Sequence, residues 1–266
     1  MGERVDGTSA LESSKRSVGP LSPHPNARLT QPTMSTFQFT PTQDWFSGHR
    51  DGWRSYFSLI DNPNPRALEI GTWEGRSAVF LLQEFCTSTD KRGGLTIIDH
   101  FDLMQTGDGQ ARFAKVKHNL ALAGGSYRIV DEFSVPGLMR LLEEEMRASN
   151  PGFDWVYIDG SHRADDTFLD AEMSWRLSRK GAVVVFDDYR WDKEPEDSIE
   201  HPKRGIDAFL QLHTGEYEIL CKPEDYQMVV RKTLDMRIGF LMMSPTEVGS
   251  AEKLGKALGM SNAFRT

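Results

Sequence analysis

Between residues 67 and 186, short apolar runs rich in β-formers alternate with longer amphipathic runs, and this rhythm restricts the fold more than any other feature of the chain. Strands are predicted at 67–70, 95–99, 127–130, 155–159 and 182–186, with helices at 76–85, 110–123, 136–148 and 165–179 between them. In the last helix Phe168, Leu169, Met173 and Leu177, with neighbouring Trp175, give an apolar stripe expected to face the sheet, and Gly181 is expected to cap the helix before the fifth strand. A helix at 206–212 precedes two close-set strands, 217–220 and 228–231, joined by a turn at Glu224-Asp225. The expectation is an α/β fold: a doubly wound, mostly parallel seven-stranded sheet with an antiparallel C-terminal finish.

With 266 residues, one substantial core is expected, flanked by smaller segments. Residues 1–35 are rich in Ser, Pro, Gly and Thr without periodicity and read as a disordered tail. Residues 36–65 hold seven aromatics and a predicted short helix, 52–60, ended by the Asn-Pro-Asn-Pro run at 62–65. The main domain is expected over 66–233. A C-terminal extension, 234–266, could add a helix at 246–258 and serve as an oligomer arm.

A net charge of -8 argues against nucleic acid as a partner, since a phosphate backbone calls for a concentrated basic face. No run approaches the roughly 18 apolar residues of a membrane span. Cys86 and Cys221 form no CxxC pair and read as reduced thiols, compatible with a cytoplasmic protein. A small, neutral or cationic partner fits this composition best.

The first strand leads into a tight turn in "ALEIGTWEGRS". Gly71 and Gly75 let the backbone approach a ligand, and the free N–H groups at the start of the next helix, near Ser77, favour a carboxylate. A dinucleotide site would show G-x-G-x-x-G, but Trp73 fills the middle position and Glu69 adds negative charge at the strand end. Both features disfavour a pyrophosphate and suit a cationic sulfonium ligand with an amino-acid end. In "LTIIDHF", Asp99 stands 28 residues after Gly71, placed to accept hydrogen bonds from ribose hydroxyls. His100 and Ser134 are expected to line the same nucleoside pocket.

Asp159 closes the fourth strand, and the pair Asp187-Asp188 closes the fifth 28 residues later, the length of one strand–helix–strand unit. On neighbouring strands roughly 4.8 Å apart, the three carboxylates would converge at the sheet's C-terminal edge. Their repulsion calls for a hard divalent cation such as Mg²⁺. His162, three residues after Asp159, could act as general base on a substrate hydroxyl. Asp165 and Asp166 are read as helix-capping residues, and His24, His49, His118, His201 and His213 as surface residues. The loop 190–204, with Trp191, is placed to form a substrate wall.

The runs "LEIGTWEGRS", "IIDHF", "YIDGSH" and "GAVVVFDDY" resemble class I methyltransferases of the macrocin O-methyltransferase group of sugar-methylating enzymes, and more distantly the catechol O-methyltransferases, over about residues 67–189. The resemblance implies a Rossmann-like methyltransferase fold and S-adenosylmethionine as donor. It implies that Gly71 and Gly75 hold the donor's methionine end, Asp99 its ribose, and Asp159, Asp187 and Asp188 the Mg²⁺, with His162 as base. The catechol enzymes have Asp-Asn where this chain has Asp187-Asp188 and use a lysine that this turn lacks, which favours the sugar-type arrangement. The expected activity is metal-assisted O-methylation of a hydroxyl on a small molecule such as a sugar, polyketide or phenol. Rival readings are an N-methyltransferase that needs no metal, a nicotinamide-dependent oxidoreductase, and a silent nucleoside-binding or assembly protein.

Overall fold

The computed structural model describes residues 36–87 and 94–239. The tail at 1–35 and the helix predicted at 246–258 lie outside the described residues. Five strands follow in parallel: β1 (Arg66–Ile70), β2 (Gly94–Ile98), β3 (Tyr127–Val130), β4 (Phe153–Ile158) and β5 (Ser178–Phe186). Two more, β6 (Tyr217–Ile219) and β7 (Met228–Lys232), complete a seven-stranded sheet of order β3-β2-β1-β4-β5-β7-β6. Strand β7 enters antiparallel between β5 and β6, so the predicted antiparallel finish is present and the fold is doubly wound.

Side-chain alternation builds the two faces. Ala67, Trp155, Tyr157, Val183 and Val185 pack beneath α2 (Arg76–Glu84) and α3 (Gly107–Ala123), joined by Phe46 and by Trp53 of α1 (Arg50–Phe57). Leu68, Ile70, Val156, Ile158, Val184 and Phe186 point the other way, towards α4 (Ser134–Met146), α5 (Ala164–Leu177) and α6 (Pro202–Leu212). The aromatic segment ahead of β1 thus belongs to the core: Trp53 is 1% exposed and its ring sits 4.8 Å from those of Trp155 and Tyr157. Among the described residues no helix is long and apolar enough to cross a membrane.

Several expectations need correction. Helix α1 covers 50–57 instead of 52–60, because the chain leaves the helix at Ser58, ahead of the proline run. Strand β5 starts at Ser178, earlier than 182, and its register against β4 shifts between Phe153 and Trp155. Gly181, at φ +83°, therefore sits in this bulge and does not cap α5. The bulge follows from Arg179, whose guanidinium is buried against Asp154 (3.0 Å) and the Pro151 and Asn150 carbonyls, a partner set that neighbours in sequence do not reveal. Of the predicted stripe of α5, Leu169 is 40% exposed and falls outside it, whereas Trp175 and Leu177, with Ala171, are buried in the sheet-facing cluster and Phe168 and Met173 pack against it.

Three histidines read as surface residues have other places. His201 is buried and caps α6, accepting from the Lys203 N–H at 3.1 Å. His213 is buried between Glu172 (2.8 Å) and Glu216 (2.6 Å), and His49 lines the main cavity. His118 is half-buried against the Thr36 carbonyl, and His24 lies outside the described residues. Cys86 and Cys221 are free thiols; burial pushes Cys86 up to about 12.

Candidate active site

A cavity of about 1350 Å³ opens at the C-terminal edge of the parallel strands. It is lined by Gly71, Trp73, Asp99, His100, Ser134, Asp159, His162, Asp187 and Asp188, so most of the site residues expected from sequence meet in one place.

One side of the cavity is built on the turn from β1 to α2. Gly71 (φ +77°) approaches β4 so closely that a Cβ there would lie 1.8 Å from the Asp159 carbonyl oxygen. Trp73 is also left-handed, at φ +51°, and Gly75 closes the turn in the left-handed region as the N-cap of α2. No side chain caps α2 or α4, which leaves their first N–H groups available at this edge. The Asp99 carboxylate accepts from the Thr72 N–H (2.9 Å) and the Phe101 N–H (2.9 Å), which fix it between the first turn and β2. His100 stacks on Phe133 at 4.7 Å, and Phe133 and Ser134 together form the wall at the start of α4. After His100 the backbone holds a run of four left-handed residues, Phe101–Met104, a strained turn that Asp102 pins through Thr106 (2.6 Å) and Arg112 (2.8 Å).

Glu69, Gly75 and Ser77 do not line this cavity. Gly75 packs over Val116, and Ser77 faces a small adjoining pocket shared with Tyr157 and Asp159. Glu69 is fully buried; Ser77 Oγ donates to its Oε1 at 2.5 Å, and Oε2 has no hydrogen-bond partner among the described residues. Burial pushes its carboxyl up to about 8. Between pH 4.5 and 8 the folded protein therefore keeps a proton that the unfolded chain releases, and stability falls as pH rises through this window. Glu69→Gln should flatten the decline and stabilise the protein at pH 8.5 by on the order of 3 kcal/mol, with little change at pH 4.5. Urea melts at the two pH values check it, and parallel pH profiles for variant and parent would refute the burial argument. Asp170, buried on α5 and pushed up to about 7, slopes the same way, so some pH dependence will remain.

The acidic side follows strand parity. Tyr157 and Asp159 on β4 share a face with Val185 and Asp187 on β5, and Tyr157 donates to Asp159 Oδ2 at 2.9 Å. Asp187 Oδ1 accepts from Gln227 at 2.5 Å, and Gln227 in turn accepts from the Trp53 indole at 2.9 Å. At Asp188 the backbone turns left-handed (φ +52°), sending the carboxylate away from Asp187 and towards His162 Nε2, 2.9 Å away. The Tyr226 hydroxyl donates to the other Asp188 oxygen. Ligand atoms of Asp159, His162 and Asp188 lie within 4.8 Å of one another, while Asp187 stands behind them. Burial and the neighbouring carboxylates Asp187 and Asp188 hold Asp159 well above the ordinary carboxylate range; burial and Asp188 raise Asp187 as well. The hydrogen bond that His162 donates to Asp188 raises its imidazole against an opposing effect of burial.

Neither Asp165 nor Asp166 occupies the N-cap of α5, which is Arg163. Asp165 pairs with Arg163, and Asp166 accepts from Ser161 Oγ at 2.9 Å. The sequence reading missed Tyr157, Tyr226 and Gln227 around the acids, and Trp45, His49 and Arg112 on the cavity wall. Tyr157 had a legible signal, since it lies two residues before Asp159 and so shares its face. Tyr226 and Gln227 follow from the antiparallel register: Met228 pairs with Phe186, so the residues just before it meet the end of β5.

An open, mostly parallel sheet that gathers Asp99 after β2 and carboxylates at the ends of β4 and β5 around one cavity is a Rossmann-like arrangement with its site at the C-terminal strand edge. Residues 68–189 match the family model described as Methyltransferase domain. Among solved structures, a candidate O-methyltransferase from Klebsiella pneumoniae is similar with a TM-score of 0.50 and 20% identity, over 73% of this chain and 83% of that one. An O-methyltransferase from Bacillus cereus in complex with SAH has a TM-score of 0.45 and 18% identity over 74% and 83% of the two chains. For the TDP-rhamnose 3'-O-methyltransferase of calicheamicin biosynthesis the values are 0.49 and 15% over 69% and 78%. At such identities the likeness is one of fold. A search of curated proteins finds no match to this sequence.

Proposed function

We propose that the protein transfers the methyl group of S-adenosylmethionine to a hydroxyl of a small molecule, a sugar, polyketide or phenol, with a divalent cation held by the carboxylates of Asp159, Asp187 and Asp188. The observation that carries this reading is the placement of Asp99 and of the Asp159–His162–Asp188 cluster on the wall of one cavity. The donor set fits a hard cation: two carboxylates and an imidazole, Asp159, Asp188 and His162, have ligand atoms within 4.8 Å, and burial together with the neighbouring carboxylates raises Asp159 and Asp187. When bound, such a cation offsets that repulsion and acidifies a nearby hydroxyl.

The remaining work falls to side chains of this chain. Asp99 orients the donor's ribose, Gly71 lets its methionine end approach the backbone, and Ser134 and His100 border the adenine. His162, whose Nε2 is held by Asp188, takes the hydroxyl proton at its other ring nitrogen, Nδ1, as the oxygen attacks the methyl carbon in line and the sulfonium leaves as a thioether.

Calorimetric titration with S-adenosylhomocysteine and with NAD tests the donor, and chelation during turnover on a panel of hydroxylated acceptors tests the metal. Binding of S-adenosylhomocysteine but not NAD, with turnover lost to chelator and restored by Mg²⁺, is the expected result. Binding of NAD alone would overturn the donor assignment. Full turnover in chelator would overturn the metal.

A further inference from the structure

The walls of the cavity bear on what the acceptor is. Eight carboxylates line it among the described residues, against two cations, Arg112 and Lys193. Neither cation is spare. Arg112 lies 2.8 Å from Asp102 and caps the Trp73 ring at 4.8 Å, and Lys193 lies 3.0 Å from Asp192. Away from the cation proposed at Asp159 and Asp188, a diphosphate brought into this space would meet carboxylates and no free guanidinium or ammonium among those walls, a costly burial of charge.

What the walls offer instead is aromatic surface. Trp45 is 63% exposed, yet it is held in place edge-on to Trp73, with ring centroids 5.7 Å apart. The Trp73 indole is itself anchored, donating to Gln43 at 3.0 Å. On the acid side, Trp191 packs on the His162 ring at 4.4 Å. Both Trp45 and Trp191 line the same cavity as the acids, and rigid indoles that keep apolar area open in a cavity are suited to hold a flat ring. Asp166, also on the wall, adds a preference for positive charge.

We infer that the acceptor is a planar ring compound, uncharged or carrying an amine and free of phosphate, that docks on Trp45 and Trp191 with its hydroxyl towards His162; this rests on the methyltransferase reading above. Acceptors linked to a nucleoside diphosphate or to coenzyme A are excluded by the same charge pattern.

The test uses the full chain with S-adenosylhomocysteine and Mg²⁺ present, titrated in a calorimeter at fixed salt with dopamine, a thymidine-diphosphate sugar and a coenzyme A thioester. Dopamine should bind at least about tenfold more tightly than either phosphate-bearing probe, in keeping with a desolvated cation against a carboxylate-rich wall. Trp45→Ala should weaken dopamine about tenfold, the loss expected for one aromatic contact, and leave the affinity for S-adenosylhomocysteine within about threefold. The inference is overturned if a phosphate-bearing probe binds as tightly as dopamine, if dopamine does not bind, or if Trp45→Ala leaves its affinity unchanged. Loss of S-adenosylhomocysteine binding by the parent protein is a different failure, and it sinks the methyltransferase reading itself.

Discussion

Gly71→Ala is expected to lose on the order of 4 kcal/mol of stability, a large effect for one added methyl group. Two costs combine. The residue sits at φ +77°, where a Cβ is strained, and that Cβ would lie 1.8 Å from the Asp159 carbonyl oxygen and 2.6 Å from its carbon. Neither atom can give way cheaply. The Asp159 N–H donates to the Ile70 carbonyl at 2.8 Å and the Gly71 N–H to that of Ile98 at 2.9 Å, so relief means prising β1 from its neighbours. Gly52→Ala supplies the control. It lies inside α1 with nothing within 4 Å of its Cβ position, and should gain about 0.5–1 kcal/mol from helix propensity. Urea denaturation of both variants checks the pair, and a Gly71→Ala protein within about 1 kcal/mol of the parent, little more than an ordinary surface change costs, would contradict the close approach of the two strands.

Asp159→Asn should lower kcat/KM by about a thousandfold or more while leaving the fold intact or slightly stabilised. The amide keeps the shape and can still accept from Tyr157, but it removes one of several carboxylates crowded at the strand ends. Relieved repulsion favours the folded state, whereas a weaker cation site and a less negative environment around His162 oppose the chemistry. Opposite movement of the two quantities is the signature of a site strained for function. Methyl transfer to whichever hydroxylated acceptor turns over, together with a thermal melt, measures both. Retention of activity within tenfold would show that this carboxylate is dispensable.

How much of this was legible in the sequence depended on how local the cause was. Strand β3 was predicted with its observed ends, and β1 and β2 within a residue at each, since β-branched and apolar residues mark them directly. Helix α4 starts two residues before the predicted Pro136, because proline is tolerated in a first turn and Ser134 and Val135 precede it. The start of β5 was hidden because its bulge is set by Arg179 reaching Asp154, 25 residues away. At the site, Asp159, Asp187 and Asp188 were readable as strand-end acids. The divergence of the last two was not, because it depends on a left-handed Asp188 and on Gln227 arriving from β7. The buried place of His213 was equally invisible, one of its carboxylate partners lying 41 residues away.

The late entry of β7 between β5 and β6 has a consequence for how the protein is made. During synthesis, β1 to β5 are complete well before residues 227–232 emerge, and until then β5 is an unpaired sheet edge whose Val183, Val184 and Val185 are almost wholly apolar and, once folded, wholly buried. The nascent chain therefore carries a sticky strand until β7 is made, and the carboxylate of Asp187 has no Gln227 to hold it. Met228 to Lys232 both seal that edge and bring Gln227 against Trp53, so the chain becomes safe from aggregation and acquires an ordered acid cluster in the same event.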